Sequence, residues 1–185
     1  MNYFTADTHF GHEKIITYCN RPFQSIQEMD ETIIYNINSI VKKEDALYVL
    51  GDFALNSPDY YAKRLNVYEI NFIPGSHNEK LPHYLNIDCE TRLNLPSLYE
   101  FYPEGLKDEY GNKRLIVLCH YSMRSWNKSH YASYHLFGHH HGNLSPYGLS
   151  FDCGVDTNNF FPYSLHDIEL RMRTLKPIVD FRKEK

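Results

Sequence analysis

Aspartate and histidine residues recur along this chain in short polar segments, each placed after an apolar stretch. From the N-terminus the segments read ADTHFGHEK, VLGDFAL, IPGSHNE, LCHYSMRSW and FGHHHGN. Carboxylates and neutral imidazoles are the ligands that suit manganese, iron, zinc and similar divalent ions. If these segments converge in the folded chain, the sequence encodes a divalent-metal site.

Such a ligand set suits two ions as well as one. A carboxylate between two ions can bridge them, and an ion pair roughly 3.5–4 Å apart can activate water and stabilise a displacement at phosphorus. A free imidazole nearby can protonate the leaving alkoxide. His139 and His141 stand two residues apart. On an extended backbone their side chains point the same way and His140 points away.

Strand-like segments precede the polar residues and are expected to position them. These segments cover residues 2–7, 46–50, 67–73, 113–119 and 133–137, with a further one at 149–156. In open α/β sheets, ligands bind outside the carboxyl ends of the strands. The loops that carry Asp7, Asp52, His77, His120 and His139 are therefore expected to meet at one place.

Helical patterns alternate with the early strands. Residues 25–41 carry an apolar residue at every third or fourth position, which predicts one buried helix face. Ser25 and Glu28 have the spacing of a capping box, as do Ser164 and Asp167 at the start of a last helix. A shorter helix is expected from Ser57 to about residue 66. The alternation predicts a layered α/β domain over residues 1–185, with a mixed sheet or two packed sheets.

Composition excludes several classes of protein. The chain has 185 residues and a net charge of -4, which disfavours nonspecific binding to nucleic acid or to anionic membranes. It has no apolar run long enough to span a bilayer and no signal-peptide pattern. Cys19, Cys89, Cys119 and Cys153 lack a C-x-x-C spacing. We therefore predict reduced thiols in a cytoplasmic protein, with Cys119 and Cys153 in the core.

The ordered segments resemble the calcineurin-like metallophosphoesterase superfamily. That family's pattern is D-x-H, G-D, G-N-H-[DE], H and G-H-x-H, and the resemblance runs from Asp7 to about Asp156. The segment HYSMRSWNKSHYASYHLFGHHHG resembles a compact bacterial and phage-type branch. The resemblance implies a four-layer α/β/β/α sandwich of two mixed sheets flanked by helices. It also implies a metal-dependent phosphoesterase, with a diester preferred over a monoester.

The resemblance further implies a dinuclear site with a metal-bridging hydroxide as nucleophile. Asp52 is expected to bridge two divalent transition-metal ions. Manganese is the leading candidate, with iron, zinc or nickel as alternatives. The first ion is expected on Asp7, His9 and His141. The second is expected on His120 and His139, with Ser76 at the position of the family's asparagine ligand. The full set of expected ligands is Asp7, His9, Asp52, Ser76, His120, His139 and His141.

The third segment departs from the family pattern. Ser76 replaces the asparagine ligand, and Asn78 replaces the carboxylate that follows the histidine. A neutral serine hydroxyl is shorter than a carboxamide and is a poorer ligand. An alternative interpretation is therefore a catalytically weakened homologue that binds metal or a nucleotide. Glu79, one residue further on, could substitute for the missing carboxylate.

Other residues are candidates for substrate contact. The resemblance implies that His77 acts as general acid or holds the transferring phosphoryl group. Arg124 could contact a phosphate through two hydrogen bonds or could form a structural salt bridge. His12 could line the pocket or belong to the loop, and Asp152 and Asp156 are interpreted as supporting or turn residues.

The expected partner is a small phosphate ester or a nucleotide-like molecule. The acidic net charge and the single tryptophan, Trp126, disfavour a nuclease, because they offer little for backbone tracking or base stacking. No membrane partner is expected, and the sequence makes no prediction of oligomeric state.

Overall fold

The computed structural model describes residues 1–77 and 91–178, without the side chains of residues 91–94. Nine strands and four α-helices lie in the described residues. In chain order they are β1 (Asn2–Thr5), α1 (Lys14–Tyr18), α2 (Ile26–Ile40), β2 (Ala46–Leu50), α3 (Pro58–Arg64), β3 (Glu69–Ile73), β4 (Thr91–Asn94), β5 (Leu98–Phe101), β6 (Ile116–Cys119), β7 (Tyr134–Phe137), β8 (Ser150–Asp152), β9 (Tyr163–Ser164) and α4 (Leu165–Met172).

The strands form two mixed sheets. The first has the order β4-β3-β2-β1-β9, and only β9 runs antiparallel to its neighbour. The second has the order β5-β6-β7-β8, and only β5 is antiparallel. The predicted pair of mixed sheets with flanking helices is confirmed.

Apolar side chains fill the space between the sheets and cover their outer faces. Phe4, Tyr48 and Leu50 of the first sheet belong to one buried cluster with strand residues of the second sheet and with two residues of α4. Another cluster places the apolar faces of α1, α2 and α3 against the first sheet. The outer face of the second sheet carries a smaller cluster around Val117 and Trp126, which includes no α-helical residue.

The two predicted helix caps, at Ser25 and at Ser164, are present. The Ser25 hydroxyl accepts the backbone N–H of Glu28 at the start of α2, and Ser164 with Asp167 forms a complete capping box at α4. At α3, the backbone of Ser57 is left-handed (φ 50°) and its side chain makes no cap. That helix begins at Pro58, whose fixed φ suits a first helical position.

Several predicted boundaries were wrong. The strand predicted at 67–73 begins at Glu69, the one at 113–119 begins at Ile116, and the one at 149–156 ends at Asp152. Sequence analysis missed α1, β4, β5 and β9, which are five residues long or shorter and therefore show little periodicity. Cys153 is buried as predicted, Cys119 is only half-buried, and both are free thiols. Cys89 lies outside the described residues.

None of the helices in the described residues has the length and apolar character needed to cross a bilayer.

The carboxyl ends of the strands in the two sheets meet at one edge. Beyond β1 and β2, Asp7 N–H donates to Gly51 O (3.2 Å) and His9 N–H donates to Asp52 O (2.9 Å). An isolated parallel bridge between Ala6 and Gly154 then connects the end of β1 to the chain that leaves β8. The loops of both sheets are thus held together where the predicted ligands lie.

Candidate metal centre

Two groups of acidic and imidazole side chains lie at this shared edge. The first group is Asp7, His9 and His141, and the second group is Asp52, His120 and His139. Within each group, one possible ligand atom per residue lies within 4.8 Å of the others. The first group is largely buried, whereas His139 exposes the second group to solvent. The structure therefore brings together every aspartate and histidine predicted as a ligand, and it divides them as the family resemblance implies.

Asp52 lies between the two groups. Its Oδ2 is 3.7 Å from Nε2 of His9 in the first group and 3.5 Å from Nε2 of His120 in the second. Its Oδ1 accepts the backbone N–H of His77 (2.8 Å), and its Oδ2 accepts the hydroxyl of Ser76 (2.7 Å). Asp52 thus occupies the position expected for a bridging carboxylate, and Ser76 adjoins the site through Asp52.

Three buried atoms of these groups have no hydrogen-bond partner: Asp7 Oδ1, His9 Nε2 and His120 Nε2. Each unpartnered buried polar atom costs roughly 1–3 kcal/mol. In His120, Nδ1 lies 2.7 Å from the carbonyl oxygen of Leu50, so its hydrogen is donated there and Nε2 keeps a lone pair. A divalent cation would satisfy lone pairs of this kind, and the residues present therefore fit metal ions.

Burial shifts the pKa values of several residues in the two groups. Burial lowers the pKa of His9 to about 3, so its imidazole is neutral and can act as a ligand. Burial raises the pKa of Asp7 to about 7, although His141 and His120 oppose the shift. Burial also acts to raise the pKa of Asp52, but the nearby His120 imidazole and the hydrogen bonds from the His77 backbone and the Ser76 hydroxyl outweigh it and hold that pKa below its usual range.

The ligand loops have strained backbones. Asp7, His9, Asp52, His139 and His141 all have left-handed conformations, with φ between 47° and 70°. For residues with a Cβ this conformation costs roughly 1–3 kcal/mol each, and it persists only where the surroundings enforce it. Each loop turns sharply directly after its strand, which directs the side chains into the shared edge.

This geometry corrects one expectation. The backbone at His139 and His141 is not extended, so the two side chains do not form a pair on one side of a strand. They enter different groups. His140 belongs to neither group, as predicted, and its Nε2 lies 3.2 Å from the hydroxyl of Ser122.

Glycines allow the loops to approach closely. A Cβ on Gly51 would lie 2.4 Å from His120 Nδ1 and 2.6 Å from Gly75 Cα. A Cβ on Gly138 would lie 2.7 Å from Asp7 Oδ2. Larger residues at these positions would push the ligand loops apart.

Arg21 supports the first group, and sequence analysis missed it. Its side chain is 0% exposed and binds Asp156 through Nε (2.8 Å) and Nη2 (2.7 Å). The same guanidinium donates to the carbonyl oxygens of Asp7 (2.7 Å) and Thr8 (3.1 Å). Arg21 therefore ties the loop after β1 to the loop after β8. It lies in a loop without periodicity, so no sequence signal pointed to it.

Asp156 connects Arg21 to a predicted ligand. Its Oδ2 lies 2.7 Å from Nδ1 of His141. A hydrogen on Nδ1 donated to this carboxylate leaves Nε2 of His141 for the first group, which is the usual arrangement behind a metal-bound histidine. Asp152 is the last residue of β8, and its carboxylate accepts the backbone N–H groups of Gly142 and Gly154. The interpretation of these two aspartates as supporting or turn residues agrees with these contacts.

The mouth of the site carries exposed aromatic side chains. The ring of His77 is 5.8 Å from that of His9 and 6.2 Å from that of His12, centroid to centroid. His12 Nδ1 lies 3.3 Å from His9 Nδ1, which places His12 at the first group. Tyr121, missed by sequence analysis, is 47% exposed and lies about 5 Å from the rings of both histidines of the second group.

The exposed guanidinium of Arg124 stacks on Tyr147, with Cζ 3.9 Å from the ring centroid. It forms no salt bridge with any described residue, so its contact with a phosphate stays a prediction. Asn78 and Glu79 lie outside the described residues.

Comparisons with known proteins show which chains this one resembles. No protein-family model matches it. The crystal structure of AQ665 from Aquifex aeolicus, described as a protein of unknown function, has the same fold, with a TM-score of 0.66 and 22% identity. That match covers 92% of this chain and 98% of the Aquifex chain. The uncharacterized protein MJ1445 of Methanocaldococcus jannaschii is 30% identical over 175 residues, covering 88% of this chain and 86% of its own. On that likeness, the chain belongs to the family of MJ1445.

Proposed function

We propose that this protein is a metal-dependent phosphoesterase that hydrolyses phosphodiesters at the edge where its two sheets meet. The observation that supports the proposal most is the position of Asp52. Its Oδ2 lies within 3.7 Å of an imidazole nitrogen from each group, and both of those nitrogens are buried without a hydrogen-bond partner. The order of the motifs along the chain and their resemblance to the metallophosphoesterases point to the same activity.

Two divalent ions would be held by the two groups, with Asp52 shared between them. Ions bound there would supply Lewis acidity toward phosphate oxygens and would lower the pKa of water. A mixed set of carboxylates and imidazoles suits manganese, with iron, zinc or nickel as alternatives. Arg21 and Asp156 would hold His141 in the tautomer that presents Nε2 to the first ion.

His77 is the candidate general acid. Its backbone N–H donates to Asp52 Oδ1 (2.8 Å), which fixes the residue at the mouth of the site. Its ring is exposed and close to the ring of His9, so a bound ester could reach it. A ring N–H of His77 would donate its proton to the ester oxygen as the bond from that oxygen to phosphorus breaks.

Hydrolysis of bis(p-nitrophenyl) phosphate with added Mn²⁺ tests this proposal. We expect Asp52→Asn to abolish turnover. His77→Ala should reduce kcat by roughly 10²–10⁴-fold, the usual contribution of a general acid, for an alkyl phosphodiester, and by less for this aryl ester, whose leaving group needs little protonation. His166→Ala is the matched control, because His166 is exposed on α4 and lies in neither group. Equal trace rates for the wild type and both site variants would overturn the proposal. A faster reaction with p-nitrophenyl phosphate would overturn the diester preference.

The position of Ser76 favours a second candidate, a metal- or nucleotide-binding protein with little turnover. Its hydroxyl donates to the bridging carboxylate, so the second group has no ligand from this loop that matches the family's asparagine. Ser76→Asn separates the two candidates. A large rise in kcat would indicate a weakened enzyme, and an unchanged kcat would indicate a working variant site. Metal analysis of protein purified without chelator adds an independent measure, because two ions per chain require an intact second group.

A further inference from the structure

A cavity lies at the end of the second sheet opposite to the metal centre. Its volume is about 310 Å³, and its lining includes the cations Lys113, Arg114 and Lys128 and the aromatic rings of Tyr102 and Tyr131. Ligand pockets of proteins begin at about this size. Arg114 precedes β6 and His120 follows it, so the six residue steps from one to the other span roughly 20 Å of extended chain. The cavity is therefore separate from the metal centre.

The cavity is positively charged in a protein whose net charge is -4. One carboxylate, Asp108, lies among the lining residues. Its carboxylate accepts the backbone N–H groups of Tyr110 (2.9 Å) and Asn112 (2.8 Å), so it is already hydrogen-bonded within its own turn. Nearby, Glu100 is engaged by the side-chain amide of Asn127 (2.8 Å). The lining of the cavity therefore carries three cationic side chains and one carboxylate.

Two contacts hold the Arg114 guanidinium in place beside the cavity. Its Nη1 donates to the carbonyl oxygen of Ala132 (2.5 Å), and its guanidinium lies 4.8 Å from the ring centroid of Tyr134. Its Nε is buried and has no hydrogen-bond partner. A guanidinium fixed in this way presents a planar set of donors that matches phosphate and carboxylate oxygens.

Lys128 and the tyrosines supply the other half of the site. The ammonium of Lys128 donates to the hydroxyl of Tyr102 (2.7 Å) and lies 5.4 Å from the centre of its ring. Tyr102 is 44% exposed and Tyr131 is 65% exposed, so both rings offer apolar surface to a ligand. Aromatic side chains stack on planar rings of many kinds without regard to their substituents.

We propose that this cavity binds a small anion in which a phosphate is joined to a planar aromatic ring, as in a mononucleotide. The cations would take the phosphate, and the tyrosine rings would stack on the aromatic part. This proposal does not depend on the proposed phosphodiesterase activity, because it uses no residue of the metal centre.

Calorimetric titration of AMP into the protein in excess EDTA tests the proposal. Trp126 provides a second signal, since it is the single tryptophan and its indole N–H donates to the carbonyl oxygen of Ser133, which lines the cavity. We expect saturable binding of AMP that changes Trp126 fluorescence, with weaker binding of ribose 5-phosphate and of adenosine. We further expect Lys113→Ala and Lys128→Ala each to raise the Kd for AMP about tenfold, the loss of one charge-assisted hydrogen bond.

Lys63→Ala is the matched control, because Lys63 is exposed on α3 and belongs to the other sheet's helical layer. It removes the same charge and should leave the Kd for AMP unchanged. The proposal would be overturned if AMP did not bind, or if all three lysine variants had the same Kd. Equal affinities for AMP and ribose 5-phosphate would overturn the role of the aromatic rings.

Discussion

The change Asp156→Asn tests whether the contacts behind the first group hold a metal ligand in place. In the wild type, the Asp156 carboxylate binds the buried guanidinium of Arg21 through both oxygens and accepts from Nδ1 of His141. Asparagine has nearly the same shape but carries no charge and only one acceptor oxygen. The variant therefore removes the electrostatic part of both contacts and leaves the packing intact.

The expected loss of stability follows from the burial of Arg21. Removing one partner of a buried ion pair costs roughly 3–5 kcal/mol. Arg21 keeps its hydrogen bonds to the carbonyl oxygens of Asp7 and Thr8, and the new amide keeps one acceptor. We therefore expect a loss of about 2–3 kcal/mol, somewhat below that range. In a domain of this size, this corresponds to a fall in Tm of roughly 4–12 °C.

The effect on metal binding should be separate and measurable. Loss of a carboxylate behind a metal-bound histidine weakens metal affinity about 10–100-fold. Calorimetric titration with Mn²⁺ at a temperature where both proteins are folded measures this factor directly. Thermal unfolding in EDTA measures the stability of the metal-free protein.

Asp167→Asn provides the control for the same chemical change. Asp167 is exposed in the capping box of α4, where it accepts the backbone N–H of Ser164. We expect a cost of about 1 kcal/mol or less and an unchanged Mn²⁺ affinity. If Asp156→Asn bound Mn²⁺ as tightly as the wild type, or lost no more stability than Asp167→Asn, the supporting role of Asp156 would be refuted.

Three further predictions concern close packing, pH and metal removal. Gly51→Ala places a Cβ 2.4 Å from His120 Nδ1 at φ +81°, whereas Gly111→Ala has φ +84° and open space. We expect Gly51→Ala, but not Gly111→Ala, to lose the second metal ion in metal analysis. Gly111→Ala should lose roughly 1–2 kcal/mol of stability in urea unfolding, because of its backbone conformation alone. Burial lowers the pKa of His135 from 6.5 to about 4. The unfolded chain therefore takes up this proton first as the pH falls. The contribution of His135 is complete above pH 6.5, and between 6.5 and 4 stability falls by up to about 1.4 kcal/mol per pH unit. Urea unfolding should show a shallower dependence for His135→Gln, and an identical dependence would contradict this. Finally, Mn²⁺ at 100 times its Kd should stabilise the protein by about 2.7 kcal/mol, and EDTA should remove this gain. Asp52→Asn should show a much smaller gain in the same thermal scan.

Sequence analysis identified the residues of the candidate site because the ability to act as a metal ligand depends on residue type and on position after a strand. Aspartate and histidine directly after an apolar strand predict a ligand at the end of that strand, and the resemblance to the metallophosphoesterases implied how the ligands would be divided between two ions. The strand at 46–50 and the cap of α2 at Ser25 were also predicted correctly. These features depend on a few neighbouring residues, and hydrophobic periodicity and capping chemistry report such local features directly.

Only the tertiary structure decided how the side chains are directed and supported. Arg21 and Asp156 are 135 positions apart in the chain, and nothing near either residue indicates that they meet. The left-handed backbones of His139 and His141 likewise come from loops forced together at the junction of two sheets, and they send two histidines only two positions apart into different groups. A local pattern records the preference of a segment, whereas contacts between distant segments are fixed when the sheets pack. The sequence by itself therefore determined which residues could bind metal, and the packing of the two sheets determined which atoms each of them presents.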